Sequence, residues 1–249
     1  MSHWIFFDPP FEAENQDKFK KLVSSYELLS KGETPRYHNN THTSKGILWS
    51  SLDNRPTGCT VYGKVDKFNC SDYYPKYSDC LLNQHYMLVD LQTFLNHKEF
   101  YFNALGDTAF VRPDTGDKSF TGCVISKNTT KHDLRRCIFE AMMDGMILLA
   151  PTQKIEEEYR FVIVDGRVVT GSIYKTRRWG HLEFAEKEVK KGAVMKYAQD
   201  IVDTHYQPCK AYTMDVCLVG GQFRVLELNS FSHAGLYKCN IKKIVSAFK

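Results

Sequence analysis

The sequence predicts an α+β fold, with helices packed on antiparallel sheets. Two observations predict the sheets. YRFVIV and RVVTGSIY flank Asp165-Gly166, and AYTMDVCLV and QFRVLELN flank Gly220-Gly221. Asp-Gly and Gly-Gly between apolar runs are type I′ or II′ hairpin turns, because their twist matches that of the paired strands. A third observation lies between the hairpins. Val194, Tyr197, Ala198, Ile201, Val202 and His205 recur at helical spacing and mark an amphipathic helix.

The remaining elements follow in chain order. A short strand is expected at 4–7 and a helix at 17–29, where Phe19, Leu22, Val23, Tyr26 and Leu29 share a face. The stretch 31–80, rich in Pro, Asn, Ser and Tyr, predicts no regular path. Residues 131–143 read as a helix with Thr130 as N-cap. MILLAP (146–151) reads as a buried strand, and 235–248 as a last helix through Leu236, Ile241, Ile244, Val245 and Phe248. By role the chain divides into an irregular lobe at 1–105 and a sharper region at 106–249.

Bulk properties exclude several classes. The 249 residues are 43% hydrophobic and 13% aromatic, which suits a packed core and not a disordered chain. Net charge is +4, from 33 basic and 29 acidic residues. That balance argues against a protein that coats nucleic acid. The eight cysteines form no CxxC pair and no zinc-spaced cluster, so reduced thiols in a cytoplasmic, soluble protein are expected. The N-terminus lacks a signal-peptide pattern, and no apolar run reaches the ~20 residues of a membrane helix.

Residues with chemical meaning gather in the hairpins. In a strand, residues two apart share a face. Glu227 and Asn229 therefore point the same way, with Thr213–Asp215 roughly opposite and Arg224 expected on the other face. Three hard oxygen groups, from Asp215, Glu227 and Asn229, then converge in otherwise apolar runs. Such a set suits Mg²⁺ that bridges phosphates, and a buried carboxylate without a partner would cost several kcal/mol. Glu158 and Arg160 share a face of the first hairpin, opposite Ser172 and Tyr174. Glu158 suits ribose hydroxyls and Arg160 suits phosphate, although an ordinary cross-strand ion pair fits equally.

The stretch FVRPDTGDKSFTG (110–122) sets Arg112 and Lys118 around a turn-rich loop. No glycine directly precedes Lys118, so it is not a Walker A loop. GxGxxG, HRD and DFG are absent too.

Taken in order, Arg112-Pro113, the loop 114–122, MILLAP, Glu158, Asp215 and Glu227-Leu228-Asn229 resemble the ATP-grasp superfamily over about residues 85–240. Arginine at 112, Lys118 in the loop and Glu158-Tyr159-Arg160 look like the superfamily's arginine-and-lysine clade, common in phage genomes. Leu81-Leu82-Asn83 resembles that clade's N-terminal region. The resemblance implies an ATP-grasp fold, with the nucleotide between two antiparallel sheets flanked by helices and an irregular N-terminal lobe. It implies adenine against the backbone of Leu149, Ala150 and Thr152, ribose on Glu158, and α- and β-phosphates on Arg112 and Lys118. Asp215, Glu227 and Asn229 would hold two Mg²⁺ ions. The implied reaction joins a small-molecule or peptide carboxylate to an amine through an acyl phosphate, in the cytoplasm (a host's, if phage-encoded).

The acceptor side is less legible. Lys175, Arg177, Arg178, Trp179 and His181 form a basic-aromatic patch after the first hairpin. Arg178 is the candidate for the substrate carboxylate, with Arg160 and Lys118 as the other catalytic candidates. The alternative is a solvated loop over a buried tryptophan. His38 and His42 read as surface residues, and His233 as a neighbour of the metal positions. Rival functions are a small-molecule kinase of the same fold, a nucleotide-binding pseudoenzyme, and a nucleic-acid module built on the 175–181 patch.

Overall fold

A computed structural model describes residues 4–6, 46–48, 60–61, 65–116, 120–130, 133, 145–231 and 234–247. The expected helices at 17–29 and 131–143, and Lys118, His38, His42 and His233, lie outside the described residues. Contacts divide the chain into two compact units, residues 65–154 and residues 1–64 with 155–249. The sequence boundary at 105/106 is a division by role; the family and site positions fall on both sides of this contact division.

In the unit 65–154, four antiparallel strands run in the order β4-β7-β5-β6. They are β4 (Met87–Asp90), β5 (Thr108–Pro113), β6 (Cys123–Ser126) and β7 (Met146–Pro151). The helices Leu91–Asn96 and Lys98–Leu105 follow β4 directly. Asp90 caps the first by accepting from the Thr93 N–H at 2.9 Å, which satisfies an orphan donor of the first turn. Phe94 and Phe102 join Val89, Val111, Ile125 and Leu149 in one buried core. Within 31–80, the stretch NCSDYYPKY folds as the short helix Cys70–Tyr73 and the 3₁₀ turn Tyr74–Tyr77. Tyr73, Tyr74 and Tyr77 are all buried, with edge-on rings 5.1 and 6.2 Å from Tyr73.

The other unit carries short parallel strands β1 (Trp4–Phe6), β2 (Gly46–Leu48) and β3 (Thr60–Val61). Its main body is a five-stranded antiparallel sheet in the order β10-β9-β8-β11-β12. These strands are β8 (Glu157–Val164), β9 (Arg167–Arg178), β10 (His181–Val189), β11 (Ala211–Val219) and β12 (Gln222–Ser230). Both expected hairpins are present. Asp165 and Gly166 have φ of 49° and 69°, and Gly220 and Gly221 have 54° and 73°, the positive values a type I′ turn requires.

The sheet has an apolar face and a polar one. Tyr159, Phe223 and Tyr197 of the helix Ala193–Thr204 meet on the apolar side, with ring centroids 6.3 and 5.8 Å from Phe223. Gln199 ties that helix to the first hairpin by accepting from the Val168 N–H and donating to the Gly166 carbonyl. On the polar side, residues 234–240 form a strap. Thr170 Oγ1 accepts from the Asn240 N–H at 2.9 Å, Ser172 Oγ accepts from the Lys238 N–H at 3.2 Å, and Arg160 Nη1 donates to the Gly235 carbonyl at 3.0 Å.

Three expectations are corrected here. The last helix spans Ile241–Ala247, because 235–240 is used in the strap, where Tyr237 takes a φ of 47° that a helix forbids. The 175–181 patch is not a loop after the hairpin but the far end of β9, which turns at Trp179-Gly180 (φ 52° and 87°) into β10. Trp179 is 92% exposed, so the buried-tryptophan alternative falls. Finally, a bulge moves Arg224 opposite Cys217 while Glu227 stays opposite Asp215. Paired residues share a face, so Arg224 lies on the Asp215 face; the extra residue, Leu226, breaks the period-two count.

No helix among the described residues is long and apolar enough to cross a membrane.

Candidate active site

The polar face of the five-stranded sheet carries a buried charge cluster. Its centre is Arg160 on β8, paired in register with Asp215 on β11. Arg160 Nε and Nη2 each donate to Asp215, to Oδ1 and Oδ2, both at 2.7 Å. This is the two-pronged guanidinium–carboxylate geometry, the strongest form of such a pair. Asp215 is fully buried and Arg160 nearly so. Burial alone would pull the guanidinium down, but Asp215 outweighs it and holds its pKa well above the ordinary value.

A bulge brings in a third group. Glu158 pairs with Lys175 and Tyr159 with Ile173, leaving Tyr174 as the extra residue of β9. Bulges re-aim side chains, and the Tyr174 hydroxyl donates to Asp215 Oδ2 at 3.1 Å. Burial, then the Asp215 charge, raise its pKa well above the usual phenol value. Tyr237 of the strap stacks on Tyr174 at 4.5 Å and 7°. Its ring lies 5.0 Å from the Arg160 guanidinium carbon, a cation–π contact. Arg160 is thereby held by a carboxylate, a carbonyl and two rings.

On β12, Glu227 and Asn229 complete the cluster as the register predicts, opposite Asp215 and Thr213. Glu227 Oε1 lies 3.8 Å from Arg160 Nη2 and accepts from Asn229 Nδ2 at 3.1 Å. The Asn229 amide oxygen and the Glu227 carboxylate are hard donors on adjacent same-face positions, so these residues fit a divalent cation. Asp215 differs, since its oxygens already carry bonds from Arg160 and Tyr174. One turn of the pleat further along, Glu158 is buried and paired with Lys175 Nζ at 3.0 Å. Burial and the Glu158 charge push the neighbouring Cys217 thiol up to about 12.

The unit 65–154 carries the other sequence-predicted positions. Arg112 is buried at the end of β5, with Nε 3.4 Å from the Pro113 carbonyl. Leu149 and Ala150 are buried in β7, and Thr152 Oγ1 meets Thr108 Oγ1 at 2.9 Å. The loop after β5 is pinned at its start. Asp114 accepts from the backbone N–H and the hydroxyl of Ser71, at 2.7 and 2.8 Å, and Asn69 Oδ1 accepts from the Gly116 N–H.

A family model for the ATP-grasp domain of the arginine-and-lysine clade, family 2, matches residues 91–247. The chain belongs to that family. Its ATP-grasp fold also appears in solved structures at low identity. The ATP-grasp ligase PsnB, complexed with a minimal precursor, has a TM-score of 0.59 at 11% identity, covering 99% of this chain and 98% of that one. A RimK domain ATP-grasp protein from Sphaerobacter thermophilus has a TM-score of 0.59 at 9% identity, covering 97% of each chain. D-alanine–D-alanine ligase from Bacillus anthracis has a TM-score of 0.55 at 14% identity, covering 99% and 91%. A comparison with curated proteins finds no match.

Within this ATP-grasp domain, sequence reasoning found Arg160, Asp215, Glu227 and Asn229 and missed the groups that orient them. Arg178, expected at the acceptor side, is an exposed residue at the end of β9, paired with His181. Tyr174 was placed on the right face, but nothing in the sequence marks the bulge that aims it. Tyr237 and the Gly235 carbonyl belong to a segment that reads as helix.

Proposed function

We propose that this chain is an ATP- and Mg²⁺-dependent ligase that joins a carboxylate to an amine through an acyl phosphate. The observation that carries this reading is the oriented Arg160 beside Glu227 and Asn229 on one buried polar face. In the proposed reaction, a carboxylate oxygen attacks the γ-phosphorus and ADP leaves. An amine then attacks the acyl carbon, phosphate leaves, and the amine nitrogen loses a proton. No covalent enzyme nucleophile is needed, only positioning and neutralisation of charge.

Glu227 and Asn229 would hold magnesium, with Asp215 as the third family position; the ion supplies charge neutralisation at the phosphates. Arg160 is restrained on several sides, so little reorganisation would accompany its action on developing negative charge. Arg112 and Lys118 are proposed for the α- and β-phosphates, the backbone of Leu149, Ala150 and Thr152 for adenine, and Glu158 for ribose. Lys175 would compete for that carboxylate. Arg178 is proposed for the acceptor carboxylate, of a small molecule or a peptide, and residues 1–105 for shaping the acceptor side. The free thiols among the described cysteines support a reducing, cytoplasmic setting.

The test is a thermal-shift titration with ATP, with and without Mg²⁺, on the wild type, Lys118→Ala and Glu227→Gln. At ~100 times its dissociation constant, a ligand that binds only the folded state adds about 2.7 kcal/mol. A shift that requires Mg²⁺ and shrinks in both variants is expected. Its absence in the wild type would sink the proposal. ADP release with a phosphorylated acceptor and no amine consumption would replace the ligase with a kinase.

A further inference from the structure

Thr213 lies on β11 two residues before Asp215, on the same face. In register it stands directly opposite Asn229 on β12 and opposite Val162 on β8. Its side chain is fully buried. Its Oγ1 has no hydrogen-bond partner among the described residues. A buried hydroxyl normally finds a partner, because an unmade bond leaves its desolvation uncompensated. The nearest polar group in register does not supply one, since Asn229 directs its Nδ2 to Glu227, and Val162 has no polar side-chain atom. The orphan hydroxyl therefore stands beside the oxygen donors of the cluster, on the side away from the Arg160–Asp215 pair.

We infer that Thr213 is a further binding residue of this site, its hydroxyl bonding the water shell of a magnesium ion held by Glu227 and Asn229. The inference rests on the magnesium–nucleotide reading of the cluster. It adds a neutral group that donates and accepts at once, which suits coordinated water better than a third carboxylate beside Arg160 would. The partner missing from the polypeptide is, on this view, supplied by the ligand. A threonine that merely fills space like valine is the competing explanation, and the two part under substitution.

Thr213→Val keeps the shape and removes the hydroxyl; Thr213→Ser keeps the hydroxyl and removes the methyl. Each is compared with the wild type in thermal-shift titrations of MgCl₂ at saturating ATP, and in ligand-free melts. In the ligand-free melt, Thr213→Val should be no less stable than the wild type, because no bond within the fold is lost. Its Mg²⁺ concentration for half-maximal stabilisation should rise about ten-fold, the lower end for loss of a group that supports metal ligands. Thr213→Ser should retain the wild-type Mg²⁺ dependence. An unchanged midpoint in Thr213→Val overturns the inference while leaving the nucleotide site intact. So does a Ser variant that behaves like Val, or a ligand-free Val variant that melts lower. If the wild type itself gains no Mg²⁺-dependent stability from ATP, the reading of the site fails, and the role of Thr213 with it.

Discussion

Arg160 is the residue on which the polar face depends. Its guanidinium sits in a fully buried pair with Asp215, and two parallel tyrosine rings and a backbone carbonyl fix the rest of the fork. Buried pairs add little over an apolar substitute, but breaking one strands a charge where water cannot reach it. Asp215→Asn should therefore cost about 3–5 kcal/mol in urea unfolding, with Arg160→Met/Asp215→Leu recovering most of it. A loss below ~1 kcal/mol in the single variant would mean that Arg160 finds another counter-charge, with Glu227 the nearest. Much of this cluster was legible from the sequence, since alternation along two hairpins is enough to bring Asp215, Glu227 and Asn229 to one face. Tyr237 was not, because its contribution depends on a positive φ in a segment whose apolar spacing imitates a helix.

At the level of elements, bulges and one close approach shape the sheet. Leu226 and Tyr174 each shift the count by one residue, turning Arg224 to the polar face and aiming the Tyr174 hydroxyl at Asp215. Gly171 permits another adjustment. A Cβ there would lie well inside contact distance of the Phe161 ring and 3.3 Å from the Arg160 carbonyl oxygen. The ring is itself fully buried and cannot swing into solvent. Gly171→Ala should destabilise the protein by about 1–3 kcal/mol, the range for overpacking a filled core. Adding Phe161→Leu to it should cost less than the two single effects summed, as measured by denaturant midpoints. Additive losses would show that the two sites do not meet. The Trp179-Gly180 hairpin escaped the sequence reading for a related reason. Tryptophan is not a turn residue, and the strands on either side are charged instead of apolar, so neither turn chemistry nor hydrophobic alternation marks it.

For the whole molecule, the titrating groups that burial perturbs imply a direction for stability against pH. Burial, as the first cause, raises the pKa values of Tyr86, Tyr159, Tyr174 and Tyr237 above 10.0, and that of Cys217 from 9.0 to about 12. The folded state holds these protons more tightly than the unfolded chain does. Their contribution is thus complete below the unfolded values and falls as pH rises through the folded ones. The melting temperature should decline from about pH 9 upward, first through Cys217 and then through the tyrosines. Cys217→Val should flatten the onset. A melting curve unchanged between about pH 8.5 and 10.5 would contradict the burial that links these groups.

What the sequence determined by itself was local or strictly periodic. Two hairpin turns, a helical stripe and the alternation of Glu227 and Asn229 all depend on neighbours within a few residues. Those signals, with the ordered parts from Arg112 to Asn229, were enough to place the chain in the ATP-grasp superfamily. Tertiary structure decided the rest: which residue each bulge makes extra, that residues 234–240 cross the polar face as a strap, and that Tyr174 and Tyr237 close on Arg160. These choices balance backbone bonds to Thr170 and Ser172 against helix formation, and ring packing against a strained φ. The partners in each balance are far apart in the chain, as Lys238 is from Ser172, so no short window of sequence contains both sides.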